Sequence, residues 1–81
     1  MIVKIASYNI ADRKVVYLDT SKIWSFSFET NDKSVIFEAN GKIIFKDLDV
    51  DTPEKIEFYF NQYENLKMFF TGEDLEYNAN L

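Results

Sequence analysis

Neither cysteine nor histidine occurs among the 81 residues, and there are only two Gly and one Pro. Without Cys there is no disulfide framework and no thiolate metal site. Without His as well, the common nucleophile–base pairs, the common zinc ligands and the side chain that titrates near neutrality are all missing. Carboxylates, Lys and Tyr are what remain for catalysis, so the composition argues against an enzyme. The scarcity of Gly and Pro, beside 47% apolar residues, argues against a disordered chain. No apolar run approaches the roughly 18 residues of a membrane-spanning helix. The start, Met-Ile-Val-Lys-Ile, lacks the basic flank and small-residue cleavage site of a signal peptide. The expectation is a cytoplasmic protein that needs no oxidation and no cofactor.

What the chain does hold is aromatic bulk and an uneven charge. Eight Phe, five Tyr and one Trp give a short chain large side chains to bury. Residues 1–46 carry seven Lys/Arg against five acids, a charge of +2; residues 47–81 carry nine acids against Lys55 and Lys67, a charge of −7. A field split in this way attracts cationic partners to the acidic half and repels nucleic acid from it.

The first 47 residues read as strands. Residues 2–8 form an apolar-rich first strand, 9–13 a turn, 15–18 a second strand, and Asp19-Thr20-Ser21 a second break whose side chains bond their own backbone. Asn40-Gly41 is a hairpin signal, since a type I′ turn needs positive φ at both central residues. That loop pairs Ala39 with Lys42 and Phe37 with Ile44. A matching loop at Asn31-Asp32 pairs Phe28 with Val35 and Phe26 with Phe37. Directly opposed residues share a face, so Trp24, Phe26, Phe28, Val35, Phe37, Ala39 and Ile44 are expected on one side of the sheet. Ile36, Ile43 and Phe45 then fall on the other.

Thr52-Pro53-Glu54 opens a helix, with Thr as N-cap, Pro at the first helical position and an acid in the first turn. It is expected to run to about residue 70, where Thr71-Gly72 stops it. Ile56, Tyr59, Phe60, Tyr63, Leu66 and Phe70 make its apolar stripe; Phe58, Met68 and Phe69 fall outside. The fold expected is α+β: a meandering antiparallel sheet of about five strands, with one C-terminal helix packed on the Trp24/Phe26/Phe28/Phe37 face. Residues 1–72 make the single domain, and 73–81 an acidic tail that Leu75 and Tyr77 can pin.

Two constellations invite a chemical reading. Asp47-Leu48-Asp49-Val50-Asp51 starts like a calcium loop but has Thr52 where Gly is needed and Phe58 where Glu is needed. No metal is expected. The acids Asp47, Asp49, Asp51, Glu54, Glu57, Glu64, Glu73, Asp74 and Glu76 instead form a candidate binding surface, a row of carboxylates resembling a nucleic-acid backbone. Direct nucleic-acid binding is not expected, because the Lys residues are scattered through strands and turns rather than gathered in a stripe. Ile36, Ile43 and Phe45 are a candidate self-association patch, on the rule that contiguous exposed apolar groups mark interfaces.

Val16-Tyr17-Leu18-Asp19-Thr20-Ser21-Lys22-Ile23, followed by Asn40-Gly41 and Thr52-Pro53-Glu54-Lys55-Ile56, resembles in layout the small FlbD-type flagellar regulatory proteins. The resemblance implies an intracellular bacterial protein that acts by contact rather than catalysis, and it transfers no functional residue. The chain departs from that pattern in its extra N-terminal strand, its many aromatics and its acidic tail. In size, acidity and lack of catalytic side chains it is also similar to phage-encoded anti-CRISPR inhibitors. The function expected is a non-enzymatic acidic module that occupies the cationic, nucleic-acid-handling surface of a basic partner. The alternative is a structural or regulatory subunit that self-associates, as a homodimer, through Ile36, Ile43 and Phe45.

Overall fold

A computed structural model describes residues 1–31 and 33–70 in full and the backbone of residues 74–80. In the described residues the class is α+β, as expected: strands β1 (Ile2–Ala6), β2 (Val15–Asp19), β3 (Ser25–Asn31), β4 (Ser34–Ala39), β5 (Lys42–Asp47) and β6 (Asp74–Asn80), with helix α1 (Pro53–Lys67). Single 3₁₀ turns at Ile10–Asp12 and Thr20–Lys22 fill the two breaks. Each is nucleated by an acceptor side chain just before it, Asn9 for Ala11 N–H and Asp19 for Ser21 N–H. Among the described residues no helix is long and apolar enough to cross a membrane.

The strands divide into two sheets rather than one meander. β1 and β2 form an antiparallel ribbon, and the larger sheet has the order β5-β4-β3-β6. Its first three strands are the expected antiparallel hairpins. The segment read as a tail contributes β6, which pairs parallel to β3 and places Leu75 and Tyr77 opposite Phe26 and Phe28.

The two hairpins show which sequence rules survive. At Asn40-Gly41 both residues have positive φ, 55° and 79°, and Ala39 pairs with Lys42. At the other hairpin Phe28 faces Phe37 and Phe26 faces Ala39. The register is offset by two residues from the expected one, and Asp32 itself lies outside the described residues. An even offset leaves every side chain on its face, so Phe26, Phe28, Val35, Phe37 and Ala39 are all buried as expected.

Two assignments need correction. A β-bulge opposite Phe37/Glu38 inserts one residue into β5. It reverses the alternation beyond Ile43, so Phe45 turns inward, 4% exposed, against Phe37 and Tyr59. Phe45 is core, not a self-association residue; Ile43 is 56% exposed and Ile36 half-buried. Trp24 is the second correction. It precedes β3 and its side chain is 67% exposed instead of core.

The helix begins as its sequence dictates, Thr52 Oγ1 accepting from Lys55 N–H at 3.3 Å. Tyr59, Tyr63 and Phe70 are buried, and Ile56, Phe60 and Leu66 pack partly buried beside them. The expected stop at Thr71-Gly72 lies outside the described residues; α1 ends at Lys67 and turns through Met68. Tyr63 stacks on both Phe26 and Phe28, at 5.7 and 5.6 Å between ring centroids. Val3, Ile5, Val16 and Leu18 turn the inner face of the ribbon onto the same core.

Candidate functional site

The fold gathers acids at the foot of the helix. β5 ends in Asp47, the connection carries Asp49 and Asp51, and Thr52-Pro53 starts α1 there. The 3₁₀ turn after β1 brings Asp12 to the same place, so that Tyr8, Asn9, Asp12, Asp47, Asp49 and Lys55 line one small polar hollow. Asp12 comes from the basic half of the sequence and was not among the expected acids. No local signal announces it, because the acids it joins there, Asp47 and Asp49, are more than thirty residues away.

One tyrosine organises this hollow. Tyr59 donates its hydroxyl hydrogen to Asp47 Oδ2 and accepts from Tyr8 N–H at 2.8 Å. One turn on, the Gln62 side-chain amide accepts from Ala6 N–H at 3.1 Å and donates to Ala6 C=O at 2.8 Å. The helix thus serves as the second neighbour of β1, through side chains instead of a strand. Burial, and then the bond to Asp47, raises the Tyr59 phenol well above its ordinary value, so it stays a donor. The clue lay in the residue type: a buried Tyr needs a partner for its hydroxyl.

The remaining expected acids are dispersed in their roles. Lys55 pairs with Asp51 at 3.2 Å and donates to the Asp49 carbonyl at 3.1 Å. This ion pair lowers the Asp51 carboxyl and raises the Lys55 ammonium. Lys67 pairs with Glu64 at 2.6 Å, one turn from the end of the helix. Both lysines of the acidic half are therefore engaged within it. Glu54 and Glu57 are exposed on the first two turns of the helix. Glu73 lies outside the described residues, and β6 sets Asp74 and Glu76 opposite Ser25 and Ser27, away from the hollow in register. Of the nine expected acids the structure brings together Asp47 and Asp49 in the hollow, with Asp51 held by Lys55 beside them; Glu54 and Glu57 are not part of its lining. Glu64 stands apart on the helix. Among the described residues no group of three acids is arranged to hold a metal ion.

A second concavity lies at the other end of β5. Leu18, Ile23, Ala39 and Ile44 floor it, Tyr17 and Trp24 wall it, and Lys22 and Lys42 stand at its rim. Sequence reasoning put Trp24 in the core and so missed this cleft. A scan against protein-family models, a search of curated proteins and a search of solved structures each find no match to the chain.

Proposed function

We propose that the chain is a non-enzymatic acidic binding protein of the cytoplasm. Its carboxylate-rich end occupies the cationic surface with which a basic partner holds nucleic acid. One observation carries the reading: the fold brings Asp12, from the basic half, to the same hollow as Asp47 and Asp49. Carboxylates from two regions of the sequence thus converge, where a solubility feature alone needs no convergence. Lys55, the cation among them, is already held by Asp51. The compositional likeness to phage-encoded inhibitors points the same way. Binding needs no cofactor; it is steric and electrostatic competition, and long-range attraction speeds its association.

The test is capture of partners from a bacterial lysate by the wild type and by a charge-reversed variant, Asp12→Lys with Asp49→Lys and Glu57→Lys. All three positions are exposed, so the variant should keep its circular-dichroism spectrum. Wild type should retain a basic protein at low salt and release it to added duplex DNA or to higher salt. The variant should retain none. Equal capture by both proteins would refute the reading.

A further inference from the structure

The Tyr17/Trp24 cleft combines an open strand edge with a basic rim. The ribbon's hydrogen-bond phase fixes what that edge offers. Ala6 sends both its backbone groups outward to Gln62, while Ser7 N–H bonds Lys14 C=O and Thr20 N–H bonds Met1 C=O. In an antiparallel pair, bonded and non-bonded positions alternate. Ala6 faces Val15, and Lys4 faces Tyr17. Val15 and Tyr17 therefore direct their N–H and C=O groups away from β1, off the far edge of β2. Those groups have no backbone partner among the described residues.

Across that edge lies β5, which among the described residues is paired with β4 alone. At the Val15 end a side chain bridges the gap: Lys14 reaches over the Phe45 ring and donates to the Lys46 carbonyl at 2.8 Å. At the Tyr17 end it opens into the cleft, about 450 Å³ in volume. Trp24 is held there unusually firmly for an exposed residue. Asn40 Oδ1 accepts from Trp24 N–H at 3.0 Å and from Ser25 N–H at 3.3 Å, and Asn40 Nδ2 donates to Lys22 C=O at 3.1 Å. A fixed backbone under an exposed indole suits an interface anchor, since only the side chain itself has freedom left to lose on binding. Asp19, the acid that lines the cleft, is already engaged by Ser21.

We propose that this cleft binds an extended acidic peptide segment of a partner protein, added as a strand to the open edge of β2. Its carboxylates meet Lys22 and Lys42, and its apolar side chains rest on Tyr17, Trp24 and the Leu18 floor. Main-chain groups at strand spacing match a peptide backbone, which has alternating donors and acceptors of its own. They do not match a phosphodiester, which lacks donors. A net charge of −5 also opposes a long polyanion, whereas a short acidic peptide meets only the local cations. This surface is separate from the acidic helix foot.

The probe is a fluorescein-labelled peptide, Glu-Val-Asp-Phe-Glu-Val, followed by fluorescence anisotropy on the full chain. It should bind, and its counterpart with Lys at every acid should not. The acidic peptide N-methylated at alternate amides keeps its charge but cannot add as a strand, and it should not bind. Lys22→Glu with Lys42→Glu, and separately Trp24→Ala, should each weaken the peptide by about tenfold or more. The substituted side chains are exposed, and the N-methyl comparison requires no variant. Three results would each overturn the proposal: no binding of the acidic peptide at millimolar concentration, equal binding of the N-methylated form, or tighter binding of decathymidylate.

Discussion

The larger sheet and the β1–β2 ribbon meet the same helix by different means. Against β3, β4 and β5, α1 presents rings: Tyr63 on Phe26 and Phe28, Tyr59 on Phe37 and Phe45. Against β1 and the residues just after it, it presents hydrogen bonds: Tyr59 accepts from Tyr8 N–H, and Gln62 bonds both backbone groups of Ala6. Apolar burial tolerates small shifts because it scales with area; hydrogen bonds do not, because they fail steeply with distance and angle. The sheet–helix contact supplies most of the stability, and the ribbon–helix contact fixes where the acid-bearing turn sits.

The sharpest way to break this contrast is Phe37→Ala. Phe37 is fully buried, beneath Phe26, Phe28, Phe45 and Tyr59. Its truncation should cost on the order of 3–5 kcal/mol in chemical denaturation, and a loss under about 1 kcal/mol would move the centre of the core elsewhere.

Tyr59→Phe keeps the ring and removes the hydroxyl, and so tests the polar side alone. With Asp47 and Tyr8 N–H both left without it, the loss should be about 1–3 kcal/mol. The pH dependence separates this from packing. Because the folded-state phenol is raised, the folded protein holds that proton more tightly than the unfolded chain. The stability it contributes is complete below the ordinary phenol value of about 10 and is lost as pH rises through the folded value. Wild type should therefore lose more stability than the Phe variant on titration above that point. Parallel curves would mean that neither burial nor the bond to Asp47 raises the phenol on folding.

The smallest effect has the opposite sign. Thr30 sits in β3, fully buried, and its hydroxyl has no hydrogen-bond partner among the described residues. Thr30→Val preserves the shape and removes an unsatisfied polar atom, so it should leave stability unchanged or raise it by up to about 1 kcal/mol. A measured loss would show that the larger sheet also relies on a polar contact.

Local features were legible in the sequence. The Asn40-Gly41 turn, the Thr52 cap and the helical stripe each depend on residues within a few positions of one another, and each appears where expected. The parity of β3 and β4 was also legible, since hydrophobic alternation carries it even through a two-residue offset. The bulge in β5 was not, because Ile43-Ile44-Phe45 offers three apolar residues in a row and either phase buries something. Nor was the position of Trp24, which depends on Asn40 bonding back across the hairpin. The candidate site was half legible for the same reason: Asp47, Asp49 and Asp51 are sequence neighbours, whereas Asp12 arrives only through the ribbon's docking on the helix.

That docking has a consequence for exchange with solvent. In most strands an amide proton is protected by the neighbouring strand, and its exchange reports on the sheet. The amides of Ala6 and Tyr8 are held by Gln62 and Tyr59 instead. They exchange when the ribbon lifts from the helix, even while β1 and β2 remain paired, whereas the Ser7 amide between them, bonded to Lys14 C=O, waits for the ribbon itself to open. Three consecutive amides thus time two separate motions of one small protein.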